Sequence, residues 1–193
     1  RGLGMEELTK FSPRVFRKGN PEFDECLEGE GEQAAADTQR SAAVPEFDGA
    51  QKVAAFLGDW RTPVRLNLGC GEDNRDGYIN VDAYVDSADL KLDIFNLVFP
   101  DETADEVLSS HMLEHLGKFE VPKALAEWRR VLKPGGKLVL SVPDLVWAAD
   151  QWLRLSEEQR WGWPLDCLFG LQTHPGEYHK TGFSTDRLRQ LLE

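Results

Sequence analysis

The length and charge of the chain exclude several classes of protein. The chain has 193 residues, which is enough for one ordinary domain with an extension and too few for two large domains. Its formal net charge is −12 at pH 7. Because so acidic a surface repels phosphate backbones and anionic lipids, we expect neither a nucleic acid nor a membrane as a direct partner.

Cysteine usage and hydropathy indicate the compartment. The three cysteines are odd in number, widely spaced and without Cys-x-x-Cys spacing: Cys26, Cys70 and Cys167. This pattern is typical of reduced thiols and gives no reason to expect a metal site. The sequence also has no long apolar run. We therefore expect a cytoplasmic protein without a bound metal.

Residues 1–61 are interpreted as an acidic N-terminal extension. Seven acids and no base occur between Glu22 and Asp37. Such a segment cannot bury enough apolar surface to offset its loss of conformational entropy, so the arm from Glu22 to about Ala43 is predicted to lack fixed structure. The tetrapeptide Pro-Glu-Phe-Asp occurs twice, at residues 21–24 and 45–48, and is a candidate contact for another protein.

Strands and helices alternate from Val64 onward. The predicted strands, in chain order, cover residues 64–68, 78–82, 88–94, 105–110 and 137–142. Val121, Leu125 and Trp128 recur at helical spacing and predict a helix, which ends at the Lys-Pro-Gly-Gly run of residues 133–136. This alternation favours an α/β domain with a largely parallel sheet over residues 62–193.

A glycine pair follows the first predicted strand at Gly69 and Gly71, on either side of Cys70. Glycine at such a place allows a tight turn and lets a ligand approach the backbone closely. A dinucleotide fingerprint needs a third glycine at position 74, where this chain has Asn74. The turn therefore disfavours NAD and FAD and suits a nucleoside ligand without phosphate.

Acidic residues close the next two predicted strands. Asp82 can accept hydrogen bonds from a ribose diol, although a turn or capping acid is its alternative role. Asp93 can accept a hydrogen bond from an adenine amino group while Ile94 packs on the ring. The sequence thus predicts a nucleoside site at one edge of the sheet.

Seven short motifs occur in a fixed order along the chain. They are LNLGCG at 66–71, NVD at 80–82, LDI at 92–94, FPD at 99–101, ADEV at 104–107, HMLEH at 111–115 and RVLKPGG at 130–136. In this order and spacing they resemble the class I methyltransferases that depend on S-adenosylmethionine. Together with residues 169–172 and 178–183, they resemble a subset of predicted small-molecule methyltransferases with a shortened first crossover. The resemblance covers residues 64–193.

The resemblance implies a Rossmann-like three-layer sandwich with a parallel sheet in the order 3-2-1-4-5. The last two strands usual for the family are missing from the sequence, so we expect either a truncated piece or a domain that lacks these strands. The implied cofactor is S-adenosyl-L-methionine, held by Asn67, Gly69, Cys70, Gly71, Asp82, Asp93, Ile94 and Ser110. Asn67 stands where many relatives have an acid that reaches the methionine amino group. The implied reaction is methyl transfer to a small polar acceptor, with a sugar hydroxyl as the leading candidate.

A hydroxyl acceptor needs a base that works near pH 7, and histidine is the natural one. His111, at the carboxyl end of the fourth predicted strand, is the first candidate, and His179 is the second. Gln172, Tyr178 and Lys180 are candidates for orienting the acceptor.

Two other functions stay open. Residues 111–115 also spell H-x-x-E-H, the motif of a zinc hydrolase in which His111 and His115 would lie one helical turn apart and Glu114 would act as base. Because the nearby Gly117 would interrupt such a helix, we interpret Glu114 and His115 as a structural pair. The other alternative is a non-catalytic domain that binds S-adenosylmethionine within a larger protein.

Overall fold

A five-stranded sheet forms the centre of the protein. The structure, a computed structural model, describes residues 14–17, 49–59, 63–173 and 175–192. The strands are β1 (Arg14–Arg17), β2 (Arg65–Leu68), β3 (Ile79–Val81), β4 (Ala104–Ser110) and β5 (Leu132–Ser141). Their spatial order is β1-β5-β4-β2-β3. The predicted acidic arm and both copies of Pro-Glu-Phe-Asp lie outside the described residues.

Four of these strands are parallel to one another. Leu66 of β2 pairs with Ile79 of β3 on one side and with Val107 of β4 on the other, and β4 pairs in parallel with β5. The Rossmann-like α/β fold and the relative order of these four strands are confirmed. Because parallel strands end at one edge of a sheet, the residues that follow β2, β3 and β4 are brought together there.

The predicted third strand, residues 88–94, is reduced to a single parallel bridge between Val81 and Leu90. The bridge lies on the predicted side of β3, but the ladder does not extend. One reason is that Asp89 Oδ2 accepts a hydrogen bond from the backbone N–H of Asn80 at 2.8 Å, a donor that a ladder would give to a strand carbonyl. Four parallel strands are therefore present where five were predicted.

The N-terminal extension contributes to the fold in its described parts. Strand β1 pairs antiparallel with β5, with Arg14 opposite Leu140. Helix α1 (Gly49–Asp59) buries Val53 in the core and packs Phe56 and Leu57 against it. The pairing of β1 with β5 was not predicted. The boundary between extension and domain at residues 61 and 62 stays a prediction.

Five further α-helices surround the sheet in the described part of the chain. They are α2 (Val121–Val131), α3 (Leu145–Arg154), α4 (Glu157–Arg160), α5 (Trp163–Phe169) and α6 (Thr185–Gln190). Side chains cap three of them: Asp144 accepts from the backbone N–H groups of Val146 and Trp147, Ser156 accepts from that of Gln159, and Ser184 accepts from that of Arg187. Among the described helices, none has the length and apolar character needed to cross a membrane.

Helix α2 matches its predicted apolar face. Its buried residues are Val121, Ala124, Leu125, Trp128 and Val131, which recur at the spacing of one helix face. Trp128 is fully buried, and its Nε1–H donates to the carbonyl of Ile94 at 3.2 Å. This bond ties the helix to the segment that contains Asp93 and Ile94.

The central position of β2 predicts how much one of its side chains contributes to stability. Leu66 is fully buried between β3 and β4. We expect Leu66→Ala to lower the free energy of unfolding by about 2–5 kcal/mol, since it removes buried methyl groups and leaves a cavity. Urea denaturation measures this. The control is Leu153→Ala on α3, where the side chain is 66% exposed and the change should stay within about 0.5 kcal/mol. Equal losses in the two variants would contradict the assignment of the core.

Candidate active site

The glycine turn after β2 is built on backbone that other residues rarely adopt. Gly69 has φ of 64° and Gly71 has φ of 52°, both in the left-handed region. The N–H groups of Gly69 and Cys70 donate to the carbonyl of Val81 at 2.9 and 3.2 Å, which holds the turn at the end of β3. A Cβ on Gly69 would collide with Met112 Cγ and lie 2.9 Å from Met112 Cβ. Glycine is therefore required there for packing as well as for conformation.

Gly71 presents the open face of this turn. A Cβ added to Gly71 would have no atom within 4 Å, in contrast to Gly69. The space above its backbone is thus available to a ligand, which is what a nucleoside lying across the turn requires. The residues present fit such a ligand at this point.

Asp82 is joined directly to the turn. Its Oδ2 accepts the N–H of Gly71 at 3.0 Å, and its Oδ1 accepts those of Tyr84 and Val85 at 2.8 and 3.2 Å. These bonds fill three of the roughly four acceptor directions of a carboxylate. The backbone therefore fixes the orientation of Asp82, and about one direction remains for a ribose hydroxyl.

Asn67 supports the turn from within the protein. Its side chain is buried, and Nδ2 donates to the carbonyl of Asp73 at 2.8 Å and to Asn80 Oδ1 at 3.0 Å. Asn80 Oδ1 also accepts the N–H of Arg75 at 2.8 Å. Both amide hydrogens of Asn67 are thus used to fix the residues that follow Gly71.

Cys70 is a buried thiol within the turn. Burial, with the nearby negative charge of Asp82 as the second cause, raises the pKa of Cys70 to about 11. The thiol is therefore protonated at neutral pH, and its side chain adds no charge to the site.

The segment that contains Asp93 and Ile94 starts beside β3, on the side away from β2. The N–H of Asp82 donates to the carbonyl of Leu90 at 3.2 Å, which places the start of this segment beside Asp82. Asp93 Oδ1 accepts the N–H of Phe95 at 3.0 Å, and Ile94 is half-buried against the core. The segment turns there instead of continuing as a strand.

His111 follows β4 directly in a strained conformation. Its φ is 52°, and its N–H donates to the carbonyl of Ser141 at the end of β5, at 2.8 Å. A residue other than glycine held in this region costs about 1–3 kcal/mol, and such residues cluster at functional sites. The preceding Ser110 is the last residue of β4. Since the next residue, Met112, packs on Gly69, His111 lies beside the glycine turn.

Glu114 is the buried partner of His111. Its Oε1 lies 3.4 Å from His111 Nδ1, with side-chain exposures of 2% for Glu114 and 51% for His111. This contact raises the pKa of His111 above its ordinary value, although burial acts in the opposite direction. The structure therefore pairs Glu114 with His111, whereas the sequence suggested a pair with His115.

The H-x-x-E-H segment does not form the helix that a zinc hydrolase motif requires. Only residues Leu113–His115 form a helical turn, of the 3-10 type, and His111 precedes it in the left-handed conformation. The arrangement in which His111 and His115 lie one α-helical turn apart is therefore not formed.

Residues 178–181 bring the second predicted histidine to the same place. The N–H groups of Lys180 and Thr181 donate to the carbonyl of Glu114 at 2.8 and 3.1 Å. The rings of His115 and His179 meet edge to face with centroids 4.9 Å apart. Burial lowers the pKa of His179, while the charge of Glu114 opposes this shift. His111, His115 and His179 thus surround one buried carboxylate.

The three candidates for orienting an acceptor lie on this segment or just before it. Gln172 is exposed with φ of 59°, and its Nε2 makes a long 3.5 Å bond to the carbonyl of Phe169, which also accepts the N–H of His179. Tyr178 and Lys180 also have exposed side chains. Their side chains are accessible from solvent next to the histidine cluster.

Comparison with known families gives a match over the central part of the sheet. Residues 79–140, from β3 to the end of β5, match a family model described as a methyltransferase domain. The match covers 62 of the 193 residues. The match agrees with the predicted class, an S-adenosylmethionine-dependent methyltransferase. The matched residues include Asp82, Asp93 and His111.

A comparison with solved structures covers more of the chain. A crystal structure of a SAM dependent methyltransferase from Archaeoglobus fulgidus is similar, with 18% sequence identity and a TM-score of 0.47. The similarity covers 74% of this chain and 65% of that one, so this chain spans less than two thirds of that protein. The search of curated proteins found no match.

Two features of the site were not found from the sequence. Met112 was read only as part of a motif, yet its side chain limits position 69 to glycine. The bond between the carbonyl of Glu114 and residues 180 and 181 joins segments about 65 positions apart, which no local pattern could indicate. A glycine that is invariant at position 69 among relatives would have indicated the contact with Met112, since an invariant glycine implies a close neighbour.

The open face of Gly71 predicts a selective effect on cofactor binding. Gly77 is a matched control because it also has a left-handed φ, of 79°, and open space at its Cβ position. Each change to alanine should cost about 1–2 kcal/mol of stability through the same backbone strain. Only Gly71→Ala should also weaken binding of S-adenosylhomocysteine, by about tenfold or more, which is 1.4 kcal/mol.

Isothermal calorimetry measures both affinities, and thermal unfolding measures the loss of stability that the two variants should share. If Gly71→Ala binds as tightly as Gly77→Ala, the turn is not the place where the cofactor lies.

Proposed function

We propose that this domain binds S-adenosylmethionine at the carboxyl edge of β2 and β3 and transfers its methyl group to a small polar acceptor. A sugar hydroxyl is the leading acceptor. The observation that carries the proposal is the open turn at Gly71, whose N–H is bonded to Asp82 at 3.0 Å. A glycine backbone next to a fixed carboxylate suits a nucleoside with a ribose diol.

The residues of this edge would hold the cofactor in distinct ways. The turn from Gly69 to Gly71 offers backbone that a ligand can approach, and Asp82 offers its remaining acceptor direction to the ribose. Asp93 and Ile94 are assigned to the adenine. Asn67, Cys70 and Ser110 support the cofactor site as neighbours of the turn and of β4. When bound, the cofactor supplies an activated methyl group and its own leaving group.

His111 is proposed as the base that takes the proton of the acceptor hydroxyl. Its backbone is fixed by the bond to Ser141, and its half-exposed ring can reach solvent on the side away from Glu114. Because Nδ1 faces the carboxylate of Glu114, Nε2 is the nitrogen proposed to accept the proton. The buried carboxylate stabilises the imidazolium that forms, as a third group does in other base-assisted transfers.

Exposed aromatic and polar groups near His111 favour a carbohydrate as the acceptor. Tyr178 and Phe169 expose their rings, and Gln172 and Lys180 offer hydrogen-bond donors close by. Sugars bind through ring stacking and dense hydrogen bonding, which this combination provides. The net charge of −12 disfavours a nucleic acid in the same place.

A non-catalytic cofactor-binding domain is the alternative to this proposal. The strained conformation of His111 favours the enzyme, because strain of this kind is usually maintained for function. Contact with another protein through the acidic arm is proposed from the sequence alone, as is a cytoplasmic location. Turnover on a panel of sugars, followed by release of S-adenosylhomocysteine, separates the enzyme from the binding domain.

Asp82 provides the sharpest test of cofactor placement. We expect Asp82→Asn to weaken S-adenosylhomocysteine binding by about 1–3 kcal/mol, since a charged acceptor is lost. Calorimetry measures this. Asp86→Asn is the control because that carboxylate is almost fully exposed and its ion-pair partner in the described part of the chain is Lys91. Wild-type affinity in Asp82→Asn would remove the ribose assignment.

His111 provides the test of the base. His111→Ala should leave affinity for S-adenosylhomocysteine unchanged and reduce turnover on the accepted sugar by about 10²–10⁴-fold, the usual contribution of a positioned base. Added imidazole should restore part of the lost rate. Unchanged turnover in this variant would show that another group, or none, accepts the proton.

A further inference from the structure

We propose that Glu114, His115 and His179 form a binding site for a zinc-type divalent metal ion. Each of the three residues offers one ligand atom, and these atoms lie within 4.8 Å of one another. The site differs from the predicted zinc motif, because His179 replaces His111 as a ligand and Glu114 is a ligand instead of a base. It goes beyond methyl transfer and does not depend on it.

The carboxylate of Glu114 is the first reason for a cation here. Its side chain is 98% buried, as the 2% exposure shows. Neither of its buried oxygens accepts a hydrogen bond from the described residues. Oε1 has the 3.4 Å contact with His111 Nδ1, so Oε2 is the oxygen that still needs a hydrogen-bond donor or a cation. A buried carboxylate is costly unless it is paired or coordinates a metal.

The two histidines make the hydrogen bonds that metal-binding histidines usually make. His115 Nδ1 lies 3.2 Å from the carbonyl of Tyr178, and His179 Nδ1 lies 3.1 Å from the carbonyl of Cys167. Because a carbonyl can only accept, each Nδ1 donates and carries the proton. The lone pair is then on Nε2 in both rings. Metal-binding histidines are usually held by such a bond from the other ring nitrogen.

The backbone that carries the three ligands is already joined. The carbonyl of Glu114 accepts from the N–H groups of Lys180 and Thr181, and Thr181 Oγ1 donates to the carbonyl of Leu116 at 2.6 Å. The ion therefore does not need to bring distant segments together. Only the side chains must move. Their ligand atoms lie within 4.8 Å of one another and would lie about 3.3 Å apart in a tetrahedral zinc site.

The donor set selects the class of ion. Two imidazole nitrogens and one carboxylate oxygen suit zinc and its first-row neighbours, whereas magnesium and calcium prefer oxygen alone. Three protein ligands leave a fourth position for water or another molecule. Since His115 and His179 are only partly buried, that position can face solvent.

A zinc titration of the metal-stripped, untagged full chain tests the proposal. Competition with a chromogenic chelator should show one tightly bound Zn²⁺ per chain. Loss of a supporting partner alone costs about 10–100-fold in affinity, so His179→Ala and Glu114→Gln, which remove ligands, should each cost more than about 100-fold. Zn²⁺ should also raise the thermal midpoint of the wild type and not that of His179→Ala.

His111→Ala is the discriminating variant. In the proposed site His111 only contacts a ligand, so its loss should cost at most about 10–100-fold in zinc affinity, less than the loss of a ligand. A loss as large as that in His179→Ala would instead favour the H-x-x-E-H ligand set and overturn the proposal. Absence of stoichiometric zinc in the folded wild type would overturn it too, as would wild-type affinity in His179→Ala, with circular dichroism confirming that each protein is folded.

Discussion

The contact between Gly69 and Met112 is the constraint on which the rest of the site depends. It brings the turn after β2 against the residues after β4, with no room for a side chain at position 69. On one side of this contact, the N–H of Gly71 reaches Asp82. On the other, His111 directly precedes Met112. A shift of the turn by the width of one methyl group would therefore move Gly71 and Asp82, the proposed cofactor site, relative to His111.

The two acidic residues of the site are accommodated in opposite ways. Asp82 accepts three backbone N–H groups, so its charge is matched without any other side chain. Glu114 is more deeply buried and has one long contact to a histidine. Because backbone donors are permanent while a histidine or a metal ion can change, the first carboxylate is suited to hold a ligand and the second to respond to a cation.

Local patterns predicted the elements whose partners are near in sequence or repeat with a fixed period. The apolar face of α2, the glycine turn and the positions of Asp82 and His111 at strand ends are of this kind. The third strand failed because the side chain of Asp89 takes a backbone donor of β3, which hydrophobic alternation does not reveal. Strand β1 and the meeting of His115 with His179 depend on distant segments, so the sequence held no local signal for them.

The partners of Nδ1 separate the roles of the histidines, which the sequence alone could not do. A carbonyl next to Nδ1 fixes the proton there, so the Nε2 lone pair of His115 and of His179 is always presented to a ligand. A carboxylate next to Nδ1 stabilises a second proton on the ring, so His111 can accept one at Nε2 and keep it. His179, the second candidate for the base, therefore has the hydrogen bonding expected of the proposed metal ligand, and His111 is the residue proposed to accept the proton.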